Sequence, residues 1–173
     1  YKKFIPWDDD IDLLIPYGEL LKMIKIFPDE ANKKFLLTNC FIERHFPVAW
    51  SKIRNKNTLS RPVQYKDLPI NWGICIDLFP IYSVSNISFI RKVEYILYKL
   101  ANKMLLAEMT KYEDGHGLLV RILEKVPIWL RHLYFRTVRR ILSLHKDNTD
   151  CVLVSCKGAK IVKREVIFGK EQQ

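Results

Sequence analysis

The chain has 173 residues, 49% hydrophobic and 12% aromatic with only six glycines, which makes it globular rather than disordered and long enough for a real core. No run approaches the ~20 uncharged apolar residues of a transmembrane helix, and Pro6 with the acids behind it interrupts any signal-peptide core. The formal charge of +10 is uneven: residues 1–85 hold 12 Lys/Arg against 10 Asp/Glu, residues 86–173 hold 17 against 9, so the second half suits an anionic partner.

Residues 4–15 read as a strand ending at Pro16, with four aspartates packed between Asp8 and Asp12. Strand alternation sends Asp10 and Asp12 to one side and Ile11 and Leu13 toward the core. Tyr17 to Phe27 has apolar residues at 20, 21, 24 and 27, a helical spacing that Pro28 stops. Residues 35–38 and 47–54 read as strands, the second alternating from Trp50 onward, with a turn at 55–57. Residues 73–80 form a short, almost wholly apolar strand that carries one charge, Asp77.

From Ser88 the period becomes helical, with Ile90, Val93, Ile96, Leu97, Leu100, Met104 and Leu105 as one face of a helix ending near Tyr112. Leu118 to Leu144 is a second helical region, broken at Pro127, with a charged stripe of Arg121, Lys125, His132, Arg136, Arg139 and Arg140. Its apolar residues cover well over half the circumference, which favours packing against the preceding helix over shallow membrane contact. An exposed basic stripe would let the two coexist. The tail from Cys151 reads as loop, short strand and turn.

Cys40, Cys75, Cys151 and Cys156 form no CxxC pair, as expected of thiols in a reducing compartment. A zinc site from Cys151, Cys156 and His145 has poor spacing and lacks a fourth ligand.

Two adjacent carboxylates on a half-buried strand repel each other unless a cation neutralises them, and hard divalent ions take such oxygen ligands. A lone aspartate inside an apolar strand likewise needs a partner. Asp10, Asp12 and Asp77 thus point to a metal site for phosphoryl or nucleotidyl transfer, chemistry that needs bridging cations and in-line geometry. The competing reading is a solvated acidic loop and a salt-bridged Asp77.

Three segments then fall in order: F-I-P-W-D-D-D-I-D-L at 4–13, W-S-K-I-R-N-K-N-T at 50–58, and G-I-C-I-D-L-F-P-I at 73–81. Together they resemble the LicD family, which includes fukutin-related proteins and lies in the nucleotidyltransferase-fold superfamily. The resemblance implies an α/β (α+β) fold: a nucleotidyltransferase-like mixed sheet over residues 1–85, then a mainly helical basic region over 86–173. It implies Mg²⁺ (or Mn²⁺) on Asp10 and Asp12, with Asp77 as third catalytic carboxylate and metal ligand. Trp50, Lys52 and Arg54 match its W-x-K-x-R strand, where Lys52 and Arg54 would grip donor phosphates; alternation places all three on one face. Trp7 and Asp8 complete the expected substrate site, Asp8 beside the ligands and Trp7 as a stacking platform where it is not a packing residue. Asp9 faces away.

The implied reaction moves a phospho-alcohol, typically phosphocholine, from a CDP-activated donor to a hydroxyl of a cell-surface glycan or glycolipid such as lipopolysaccharide or teichoic acid. The expected setting is cytoplasmic, at the membrane face, with peripheral contact through the basic helices. Family members carry a glycine-rich G-T-L-L-G-type segment before the acidic strand and a Tyr-Gly segment near the end. This chain begins after the first and stops before the second, so the expectation is a piece cut at both ends.

Other classes fit less well. A D-x-D glycosyltransferase shares the metal logic without requiring the other two motifs, and an inactive fragment acting as a binding module is the remaining alternative. An EF-hand fails at Leu13, where glycine is needed, and at Pro16. No nucleic-acid partner is expected, because the basic residues are interspersed with bulky apolar ones and no recognition motif is present.

Overall fold

The computed structural model describes residues 11–30, 34–61, 67–112, 117–145, 149–156 and 158–169. In chain order these form β1 (Asp12–Pro16), α1 (Tyr17–Glu30), β2 (Phe35–Thr38), β3 (Ser51–Asn55), β4 (Cys75–Ser83), α2 (Ser88–Leu106), α3 (Leu118–Glu124), α4 (Ile128–Leu142), β5 (Cys151–Val154), β6 (Lys160–Lys163) and α5 (Arg164–Phe168). A 3₁₀ turn at Met109–Lys111 follows α2. The fold is mixed α/β, as the sequence implied.

The strands make one sheet in the order β2-β3-β4-β5-β6, with β1 added beside β4. Only the β1–β4 pair is parallel; the other pairs are antiparallel. β4 is the spine, pairing with β3 over its first half, β5 over its last residues and β1 along its middle. Gly73 stands just before it because a Cβ there would lie 2.1 Å from the Asn55 carbonyl oxygen. Only glycine lets the chain come that close to the end of β3.

Leu20 of α1 packs on Leu37 and Leu78, with Ile15, Ile53 and Ile76 around them. The larger core joins Tyr82 and Val84 to Tyr98, Ala101 and Leu105 of α2, Phe135, Val138 and Leu142 of α4, and Leu153 of β5. Residues before and after position 85 therefore share one core and one sheet, with β5 and β6 coming from the tail that read as loop and one short strand.

Several elements differ from the sequence reading. Ile11 and Leu13 are 51% and 47% exposed rather than core, because β1 has β4 as its one sheet neighbour among the described residues and meets the core only from Ile15. The inward face of α2 is Glu94, Tyr98, Ala101 and Leu105, while Ile90, Val93 and Ile96 stay exposed. Polar partners explain the rotation. Glu94 is bonded to His145 and accepts from the Ser85 amide at 2.9 Å, and the Tyr98 hydroxyl donates to Ser155. That contact also occupies the histidine considered for zinc.

Arg131 and Arg139, read as parts of a basic region, are buried. Arg131 donates to Glu108 at 2.9 Å and to the Met104 carbonyl at 3.2 Å. Glu108 also meets His45 at 2.8 Å and Lys111 at 3.7 Å. Burial alone would raise the Glu108 pKa; the bonds from His45 and Arg131 and the charges of Lys111 and Arg131 outweigh it and hold it below its ordinary 4.5. A carboxyl depressed in the folded state contributes stability that is complete above the unfolded pKa and is lost as pH falls through the folded one. Glu108→Gln is expected to cost about 3 kcal/mol at neutral pH by leaving Arg131 buried without an anion. The gap between the urea midpoints of the two proteins should narrow as pH drops below 4.5. A gap unchanged with pH would dismiss the network.

No helix among the described residues is long and apolar enough to cross a membrane.

Candidate active site

Register assembles the site. Thr38 on β2 is opposite Lys52 on β3, Lys52 is opposite Asp77 on β4, and Asp77 is opposite Asp12 on β1. Residues paired across strands project from the same face. The row Thr38–Lys52–Asp77–Asp12 thus crosses four strands, from a buried threonine to an exposed aspartate. The Asp77 amide donates to the Ile11 carbonyl at 2.9 Å, which fixes β1 against β4 at this point.

Asp77 is the hub. Its Oδ2 accepts from the Trp50 indole at 2.9 Å, and its Oδ1 is paired with the Lys52 ammonium. Both partners are largely buried, Lys52 and Asp77 keeping 19% and 14% of their side-chain exposure. Trp50 is itself wedged against Phe79, ring centroids 5.1 Å apart. Indole and ammonium both arrive because Trp50, immediately before β3, and Lys52 within it are two residues apart along the chain.

Arg54, two residues further, lies on the same face but is sealed in. Its Nε donates to Thr38 Oγ1 at 3.3 Å and its Nη1 to the Gly73 carbonyl at 3.2 Å. The guanidinium stacks near Trp72 and Phe46, 5.6 and 6.0 Å from their centroids. Burial lowers its pKa from the ordinary arginine range, against the opposing pull of Cys75, Glu43 and Asp77. Arg54 ties β2, β3 and the Gly73 approach together, and Lys52 is engaged on Asp77; neither reaches outward for a phosphate here.

The row brings Asp12, Asp77, Lys52 and Trp50 together. Trp7, Asp8, Asp9 and Asp10 lie outside the described residues. Two participants escaped the sequence reading. Cys75 puts its thiol 3.6 Å from Lys52 Nζ and 3.7 Å from Asp77 Oδ1, and Thr38 supports Arg54. Alternation from Asp77 places Cys75 on the acidic face; Thr38 had no signal, since only strand register brings it there.

The donor chemistry fits a hard divalent cation. Asp77 Oδ2 accepts one hydrogen bond, from Trp50, and so keeps a lone pair, while Oδ1 takes both the Lys52 ammonium and the Cys75 thiol; Asp12 stands beside Asp77 on the next strand. No group of three or more His, Cys, Asp or Glu side chains among the described residues is arranged to hold a metal. The described donor set is therefore this pair of carboxylates.

Searches of curated proteins and of solved structures each gave no match. The family profile described as LicD/FKTN/FKRP, nucleotidyltransferase domain, matches residues 1–106. That span takes in β1 to β4, with the whole row, and ends with α2 rather than at residue 85. A match over that much of the chain identifies it: the protein belongs to the LicD family, whose membership suggests a transferase of phospho-alcohol or sugar units acting on glycans.

Proposed function

We propose that the protein is a metal-dependent transferase that moves a phospho-alcohol, phosphocholine first among them, from a CDP-activated donor to a glycan hydroxyl. The observation that carries this reading is the pairing of Asp12 with Asp77 across β1 and β4. It sets two carboxylates side by side on the face opposite the α1 core. Asp12 and Asp77, with Asp10 two residues earlier in the sequence, would hold Mg²⁺ or Mn²⁺. When bound, such an ion would neutralise the charge that builds on the departing CMP phosphate as the phosphoanhydride bond breaks and the glycan hydroxyl oxygen bonds to the phospho-alcohol phosphorus.

The chain's own residues do the positioning. Trp50 and Lys52 fix both oxygens of Asp77, so its remaining lone pairs keep one orientation. Lys52 adds a positive charge at the edge of the site, where a donor phosphate approaching Asp12 would feel it. Arg54 acts from the buried end of the same face, tying β3 to Thr38 of β2 and to the Gly73 carbonyl and so holding the strand that carries Lys52 in register with Asp77.

The test is release of CMP from CDP-choline, CDP-ribitol and CDP-glycerol, with UDP-glucose alongside, in Mg²⁺ and in chelator. Metal-dependent CMP release from a CDP-alcohol supports the proposal. Cleavage of UDP-glucose alone would transfer the site to a D-x-D glycosyltransferase, and no cleavage of any donor would leave a binding module.

A further inference from the structure

The solvent face of α4 is not an ordinary polar surface. Trp129, Leu133, Arg136, Arg140 and Leu144 follow one another at intervals of three or four residues, which aligns them along the outer side of the helix and the turn after it. Its apolar members are bare: Trp129 is 62% exposed, Leu133 52% and Leu144 81%. The inner side, with Phe135, Val138, Arg139 and Leu142, already satisfies the core. The outer apolar residues therefore have no packing role within the described chain. Helix α3, just before it, shows the same mixture, with Leu118 and Ile122 exposed beside Arg121 and Lys125.

A cleft of about 360 Å³ opens on this surface, lined by Arg44, Ile128, Trp129, His132, Leu133 and Arg136. Its lining contains two arginines and no carboxylate. The His132 imidazole is held below its ordinary 6.5, first by burial and then by Arg136 and Arg131, which outweigh the opposing pull of the Arg44 backbone and Glu108. The size suits a phosphodiester headgroup, and the wall of Trp129 and Leu133 suits the apolar chains beneath one.

We propose that the outer face of α4 is a membrane-docking surface for an anionic phospholipid bilayer, with headgroup phosphates received by Arg136 and Arg44 and Trp129 and Leu133 entering the interface. Charge complementarity selects this occupant. A second copy of a chain carrying +10 would bring one basic face against another. A soluble anion would use the arginines but leave the tryptophan and leucines bare. An anionic interface uses both at once. Helices α3 and α4 lie beyond residues 1–106, so of the side chains of this surface Arg44 alone falls in the stretch that carries family membership.

Co-sedimentation of the full chain with vesicles of equal parts phosphatidylcholine and phosphatidylglycerol, beside pure phosphatidylcholine vesicles, tests it. The protein should partition to the anionic vesicles and be released by high salt. Arg136→Gln with Arg140→Gln should lower that partitioning on the order of 20-fold, from about fivefold per cation near the surface. Trp129→Ser with Leu133→Ser should lower it by roughly tenfold or more through lost apolar burial. All four side chains are exposed, so thermal midpoints should stay close to wild type, apart from a small loss where Arg136→Gln gives up its contact with the Phe41 ring, and either pair alone decides. Equal binding to neutral and anionic vesicles, or wild-type partitioning of either pair, would overturn the proposal. So would concentration-dependent dimerisation that Leu133→Ser abolishes, which would give the face to a second copy. The readout is binding, so it stands or falls apart from donor chemistry.

Discussion

Replacing Asp12 by asparagine is expected to lower metal-dependent transfer at least about 100-fold, the scale of removing one preorganised electrostatic group from a transition state. Stability should change by less than about 0.5 kcal/mol, because Asp12 is exposed. The two readouts separate cleanly at this residue and not at its neighbour. Asp77→Asn should also suppress turnover, but it leaves the largely buried Lys52 ammonium without its anion. A loss of about 1–3 kcal/mol should accompany it. Transfer by Asp12→Asn at wild-type rate with undiminished Mg²⁺ dependence would sink the metal reading. A stability loss in Asp77→Asn with normal turnover would reduce Asp77 to a structural ion pair.

The site was legible where period-2 alternation alone decides side. Trp50, Lys52 and Arg54 share a face, and so do Cys75 and Asp77, as any strand demands. Which strand lies beside which is a long-range fact. Nothing local says that Lys52 is opposite Asp77, or that Asp77 and not Leu78 is level with Asp12. The role of Arg54 was hidden for the same reason: its partners Thr38 and Gly73 are 16 and 19 residues away. Helix breaks were read unevenly: Pro127, through its own ring and missing N–H, does separate α3 from α4, whereas α1 runs on through Pro28 to Glu30 instead of stopping there. Helix faces were read poorly, because apolar residues surround α2 on most sides and a paired Glu94 can turn inward. The tail strands β5 and β6 are four residues each, too short for alternation to declare itself.

Arg139→Glu is expected to have the largest effect on stability, more than about 4 kcal/mol, since it sets an unpaired carboxylate among aromatic rings. Reading the helix as a continuous basic stripe predicts the opposite, that Arg136, Arg139 and Arg140 can all be reversed without unfolding. The structure separates them: Arg139 is 5% exposed, while Arg136 and Arg140 face solvent. The Arg139 guanidinium lies 4.4 Å from the Phe41 ring centroid, 4.6 Å from Tyr17 and 5.4 Å from Phe135. Such contacts favour a cation and repel an anion, because ring faces carry the negative end of the quadrupole. Arg139→Met, which keeps the stem and drops the charge, should cost only about 1–2 kcal/mol, and Arg140→Glu about 0.5 or less, with Arg136→Glu between them because Arg136 also lies over the Phe41 ring, 5.1 Å from its centroid. Urea denaturation of the single variants gives this ranking directly, and an Arg139→Glu protein as stable as Arg140→Glu would refute the buried placement. The consequence reaches the acidic row. Tyr17 opens α1 directly after β1, so the ring contact that anchors α4 also anchors the helix following Asp12. A chain that loses Arg139 should lose transfer together with its fold, whereas Asp12→Asn loses transfer alone.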